Sequence, residues 1–151
     1  MGPKESIIRY CSYQERSHKE VRKKLYELGC SYEEAEVLLS EMIEMDLVNE
    51  ERYTKAVVRG KFHVKQWGRN KIIYKLKTQD VSEYCLNKAL GEINEKEYLE
   101  NLNRLTEKKW NELKGEKNIF TKKGKVFNYL RQKGYESELI ITAINELKNK
   151  Q

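Results

Sequence analysis

Three stretches of this chain share one apolar frame, and that frame limits the folds open to it. With Gly29, Asp80 and Gly134 as origins, the residues eight places earlier are Val21, Ile72 and Val126. Four places earlier stand Leu25, Leu76 and Leu130; one place later come Cys30, Val81 and Tyr135, and ten later Leu39, Leu90 and Ile144. Apolar residues four apart before the origin lie on one face of a helix, and those after it open another. Glycine at two of the three origins suits the left-handed residue that closes a helix without a Cβ penalty. A recurrence of this kind marks stacked helical units, which we place at 4–46, 47–96 and 97–151.

The first unit shows the pattern most plainly. Ile7, Ile8 and Cys11 start a helical stripe that ends near Tyr13. Ser17-His18-Lys19-Glu20 and Ser31-Tyr32-Glu33-Glu34 are capping boxes, each opening a helix. Ala35, Leu38, Leu39, Met42 and Ile43 then recur at helical spacing. In the third unit, Lys114–Lys125 has two glycines and little periodicity, and is expected to be a mobile loop joining the first two helices. A single proline, at position 3, and few β-branched runs favour helix almost throughout. Only 38% of residues are hydrophobic and 36% are charged, too little apolar surface for each unit to stand alone. The expected fold is all-α: three tandem three-helix repeats stacked into an elongated, curved body whose concave side is open to a partner.

Charge is distributed unevenly. Arg52–Gln79 holds nine Lys/Arg and no Asp or Glu, while Ser31–Glu51 holds eight Asp/Glu and no Lys/Arg. With the net charge of +6, the basic block favours an anionic partner. Asn49 is the expected N-cap of its first helix, with Tyr53, Ala56, Val57, Gly60 and Val64 as the inward stripe. Lys55, Arg59 and Lys65 then face outward, with Lys61 at the border. After Trp67-Gly68 a second helix turns Ile72, Ile73 and Leu76 inward and Lys71 and Lys75 outward. Arg52, Lys55, Arg59, Lys61, Lys65, Trp67, Arg69, Lys71 and Lys75 are therefore the candidate binding residues. Such a surface would bind DNA in a salt-dependent way and would equally suit an acidic protein groove. Trp67 would stack on a base, anchor an interface, or plug the helix junction; a merely solvated basic face is also open.

Other classes find no support. There is no Gly-rich phosphate loop, nucleophile elbow or HExxH helix, so no enzyme, cofactor or metal site is expected. Cys11, Cys30 and Cys85 have no CxxC spacing and fit reduced structural thiols in a cytoplasmic protein. No apolar run approaches the roughly 18 residues of a membrane span.

Specific residues also resemble a known family. Val48-Asn49-Glu50-Glu51-Arg52-Tyr53-Thr54-Lys55-Ala56-Val57-Val58-Arg59 is similar to the opening of the middle repeat of the RecX regulators of the RecA recombinase. Trp67-Gly68-Arg69-Asn70-Lys71-Ile72, with Leu76, resembles that repeat's second helix. Arg16-Ser17, Glu20-Val21 and Leu25 resemble the first repeat, and Phe127 to Ile144, with Leu130 and Gly134-Tyr135, the last. Asn49-Glu50 stands for the family's Asp pair, Thr54 for Ala, and Asp80 for Gly, which is expected to shift that turn; the third repeat's loop also diverges. The resemblance implies a monomer, not an enzyme, that lies along the groove of the RecA–DNA filament. There it would limit filament growth and dampen ATP-driven strand exchange, with weak, salt-dependent contact to single-stranded or duplex DNA. The readings beside it are a tri-helical DNA-binding module acting without RecA and a helical-repeat adaptor for an acidic protein.

Overall fold

The structure, a computed structural model, describes residues 1–150 and the side chains of residues 1–147. Its described residues form nine α-helices and no strand: α1 Pro3–Tyr13, α2 His18–Glu27, α3 Tyr32–Glu44, α4 Glu50–His63, α5 Arg69–Thr78, α6 Glu83–Leu90, α7 Glu95–Glu112, α8 Ile119–Gln132 and α9 Ser137–Lys150. The fold is all-α, with the three-helix pattern in tandem.

Local chemistry explains where the helices begin. Ser17 Oγ accepts from the Glu20 N–H at 3.0 Å while Glu20 accepts from the Ser17 N–H at 2.9 Å; Ser31 and Glu34 repeat the exchange. Asn49, Asn94 and Asn118 each accept first-turn N–H groups at α4, α7 and α8. These side chains satisfy donors that the helix itself leaves unpaired.

The helix ends follow the frame. Gly29, Asp80 and Gly134 have φ of +91°, +56° and +103°. Asp80 was expected to alter its turn, yet it keeps the left-handed conformation, which aspartate tolerates better than most residues. Leu25 O and Leu130 O accept from Cys30 N–H and Tyr135 N–H at 3.0 and 3.2 Å, closing two Schellman turns. Val21, Ile72, Val126, Leu25, Leu76 and Leu130 are wholly buried.

Two expectations needed correction. The buried row of α4 is Tyr53, Thr54, Val58 and Phe62, whereas Ala56 is exposed and Val64 is 76% exposed. Thr54 can sit inside because its hydroxyl donates to Glu50 O at 2.7 Å, so the stripe keeps the expected Tyr53 and then runs through Val58 and Phe62. Half of the proposed 114–125 loop is helix, since Asn118 caps α8 from Ile119 onward.

The chain divides into two compact units, residues 1–58 with 75–90, and residues 59–74 with 91–151. In the first, Ile7 and Cys11 of α1, Val21 and Leu25 of α2, and Ala35, Leu39 and Met42 of α3 share one core with Val48. Burial pushes the Cys11 thiol up to about 11, which leaves it protonated and unreactive. In the second, the rings of Phe62, Tyr98 and Tyr135 follow one another at 6.2 and 5.2 Å.

The second unit also contains a backbone-to-backbone contact. Gly68 N–H donates to Lys133 O at 2.8 Å, and Asn70 N–H to Gly134 O at 2.9 Å. A Cβ on Gly68 would lie 2.3 Å from Gly134 C, and one on Gly134 would lie 2.4 Å from Lys71 Cβ. Neither position has room for a side chain. Gly60, inside α4, meets nothing within 4 Å. Gly68→Ala should therefore destabilise the protein by about 1–3 kcal/mol through overpacking. Gly60→Ala should stabilise it by roughly 0.5–1 kcal/mol, because a helix-interior glycine loses its entropy penalty. Urea unfolding of both variants checks the opposite signs.

Candidate nucleic-acid interface

The basic block is divided between the two units. Arg52, Lys55 and Lys75 belong to the first unit; Arg59, Lys61, Lys65, Trp67, Arg69 and Lys71 belong to the second.

In the first unit the block is largely neutralised by the acidic residues that precede it. Arg52 bonds to Glu15, to Asp46 Oδ1 at 3.1 Å and to Asp46 O at 2.9 Å. The Glu15 hydrogen bond is the main reason its pKa is raised. Asp46 is itself in the left-handed conformation at the end of α3, so Arg52 clamps the turn into α4. Glu51 takes Lys88 at 2.6 Å and Lys55 at 3.2 Å, and these two bonds hold its carboxyl below its ordinary value. Lys75 is half-buried.

In the second unit, Arg69 is also turned to internal work. Its backbone N–H donates to Tyr98 Oη at 2.9 Å, and its guanidinium donates to Glu136 at 2.8 Å and to Glu95. The guanidinium carbon lies 3.8 Å from the Tyr98 ring centroid, and the Tyr98 hydroxyl donates to Glu136. Burial, then the Glu136 carboxylate, push the Tyr98 phenol well up. With its side chain 22% exposed, Arg69 holds α5 against α7 and the start of α9. Arg69, a candidate binding residue in the sequence, thus has its guanidinium engaged by carboxylates of its own unit.

What remains is a cluster around Trp67. Lys61 Nζ and Lys71 Nζ lie 4.7 and 4.3 Å from its ring centroid. The indole is half-buried, and its backbone N–H donates to Lys61 O at 2.9 Å. Lys65 is exposed, and its carbonyl accepts from Lys133 Nζ at 3.0 Å. Tyr135 Oη donates to Gln66 O at 2.7 Å, so two side chains just past α8 bond carbonyls of the turn that follows α4. Arg59 is exposed and pairs with Glu92 at 3.2 Å.

Lys133 and Lys108 were absent from the sequence reading. Burial, then repulsion from Lys71 and Lys108, hold the Lys133 pKa below its ordinary value, so cations from α5, α7 and the end of α8 meet in one field. Nothing local marks Lys108 or Lys133: the one is an exposed lysine of α7 and the other follows the end of α8, both far from the basic block in sequence. Like charges gathered this closely in a fold suit a shared anion. Among the described residues no group of His, Cys, Asp and Glu could hold a metal ion, and no helix is long and apolar enough to cross a membrane.

Removing Arg69 should cost stability. Arg69→Ala should lower the unfolding free energy by about 1.5–3 kcal/mol, the scale for a hydrogen bond to a charged group, whereas Lys65→Ala should stay within about 0.5 kcal/mol. Thermal and urea melts would separate the two.

Comparison with known proteins places these residues in context. The chain matches the models of the first, second and third three-helix domains of RecX at residues 4–42, 49–90 and 95–144. It is similar to the regulatory protein RecX of Clostridium perfringens (strain 13 / Type A), 30% identical over 147 residues, covering 97% of this chain and 68% of that protein. A RecX regulatory protein of Clostridioides difficile (strain 630) is 24% identical over 152 residues, with the same coverage. The crystal structure of RecX from Lactobacillus salivarius has a TM-score of 0.83 and 27% identity, covering 97% of this chain and 94% of that one. A second crystal structure of regulatory protein RecX has a TM-score of 0.84 at 22% identity, covering 95% and 70%, and speaks to the fold alone.

Proposed function

The chain belongs to the RecX family, and from that premise we propose that it binds the RecA–DNA filament and lowers RecA's ATPase, filament growth and strand exchange. The relatives are named regulatory proteins, which supports a protein that modulates another enzyme rather than one that catalyses. The single observation that carries the binding surface is the lysine cluster around Trp67. The carboxylates Glu95 and Glu136 are bound to Arg69, while Lys133 lies in the field of Lys71 and Lys108.

A surface of this kind suits a polyanion. Each phosphate neutralised releases condensed counterions, so affinity falls steeply with salt. Lys65 and Arg59, both exposed, extend the cluster along the end of α4. Arg69 is left out of the proposed contact set, because reversing it would break its bonds to Glu136 and Glu95 and confuse loss of binding with loss of fold.

Stoichiometric protein should inhibit RecA ATP hydrolysis on single-stranded DNA in low salt, and unchanged hydrolysis would sink the proposal. Lys61→Glu, Lys65→Glu and Lys71→Glu together should weaken that inhibition at least about tenfold, since three contacts of roughly 1 kcal/mol each are reversed. The helical signal in circular dichroism should not change. Tight sequence-specific duplex binding with no effect on RecA would favour a free-standing DNA-binding module; no nucleic-acid binding at all would favour an adaptor for an acidic protein.

A further inference from the structure

Trp67 is one of two tryptophans in the chain, and the two are held differently. Trp110 is 6% exposed, enclosed in the second unit with Lys122 Nζ 4.2 Å from its ring centroid. Trp67 is only half-buried, and Lys61 Nζ and Lys71 Nζ lie over its ring at the ends of long, flexible stems. An indole offers an ammonium only its quadrupole, whereas a phosphate offers a full negative charge. Given a phosphate, each lysine has a stronger partner nearby, and leaving the ring uncovers a flat aromatic surface.

The surroundings supply more cations for that phosphate. The close approach of Gly134 to Lys71 fixes the base of Lys71 beside the end of α8. Lys133 is the next residue back, its ammonium 3.0 Å from Lys65 O. Lys108 of α7 lies close enough that it, with Lys71 and burial, depresses the Lys133 pKa. Arg104, one turn before Lys108 on α7, acts on the neighbouring Tyr135. Lys61 and Lys71 thus lie over the indole, and Lys133 lies within the field of both Lys71 and Lys108.

We infer that Trp67, with Lys61, Lys71, Lys108 and Lys133, forms a subsite for single-stranded nucleic acid, in which one base stacks on the indole and the lysines take the flanking phosphates. The subsite is sequence-tolerant, because every base has a π face on which an indole can stack. It discriminates against duplex, whose bases are already stacked on both faces and offer only their phosphates. The inference rests on the filament reading for its surface and adds a class of ligand and named contacts, two of them outside the central basic block.

The test uses the full chain carrying Trp110→Phe, so that Trp67 alone reports. Titration with an oligo-dT strand at low salt should quench Trp67 emission, whereas duplex of equal length and inorganic polyphosphate should quench far less. Lys71→Gln, Lys108→Gln and Lys133→Gln together should reduce the slope of log affinity against log salt by about 2, at roughly 0.7 per single-strand phosphate contact. Trp67→Leu should weaken oligo-dT binding about tenfold, within the range for loss of one base stack, with circular dichroism unchanged. Trp67 emission that stays constant while the strand binds would overturn the inference. So would equal quenching by duplex, polyphosphate or polyglutamate, or a salt slope that the three substitutions leave alone. A silent Trp67 in protein that still inhibits RecA removes the subsite and leaves the filament reading standing. A responsive Trp67 in protein without effect on RecA does the reverse.

Discussion

The second unit depends on two backbones meeting where neither can carry a side chain. Gly68 and Gly134 approach so closely that a Cβ on either would overlap the other strand of chain, and two N–H···O bonds cross the contact. Each such bond contributes only about 0.5–1.5 kcal/mol net, but leaving its buried groups unpaired costs about 1–3 kcal/mol. The contact is thus enforced more by what its absence would cost than by what it adds. It sets the start of α5 against the end of α8, and the rest follows. Arg69 is brought onto Tyr98 and Glu136, Lys71 comes beside Lys133, and Trp67 sits at the edge of the resulting cluster.

The first unit has a counterpart at the same place in the frame. Gly68 stands twelve residues before its origin, and so does Ser17; Lys133 stands one before its own, and so does Gln79. Ser17 Oγ donates to Gln79 Oε1 at 2.7 Å, and Lys19 Nζ donates to Thr78 O at 2.8 Å. The start of one repeat's second helix thus meets the end of the next repeat's second helix in both units, once through side chains and once through backbone. This explains how repeats with little shared sequence keep one architecture. The frame conserves the position of the contact, and the chemistry at that position is free to differ.

The same economy governs charge. The acidic Ser31–Glu51 segment and the basic Arg52–Gln79 segment suggest two opposed surfaces when read along the chain. In the fold, Asp46 and Glu51, with Glu15, take up Arg52, Lys55 and Lys88, while Glu95 and Glu136 take up Arg69. Exposed pairs of this type contribute little to stability individually. Their larger effect is to cancel part of the field that the charge runs suggest when read along the chain.

Helix positions, capping residues and the inward row of each second helix were legible in the sequence, because they depend on spacing and on side chains acting within one or two turns. Ser17, Ser31 and Asn49 cap where their neighbours require it, and Val21, Ile72 and Val126 are buried because period 3.6 puts them on one face. The stripe of α4 was misread after Tyr53, since a threonine bonded to its own helix is as much a core residue as a valine. Which cations are taken up by carboxylates within the fold was not legible at all. Arg69 and Lys71 look alike in sequence, and only the Gly68–Gly134 contact directs one to carboxylates and the other to Trp67. Lys108 and Lys133 join them for the same reason: a charge acts over a few ångströms of space, and the fold alone decides which residues share it.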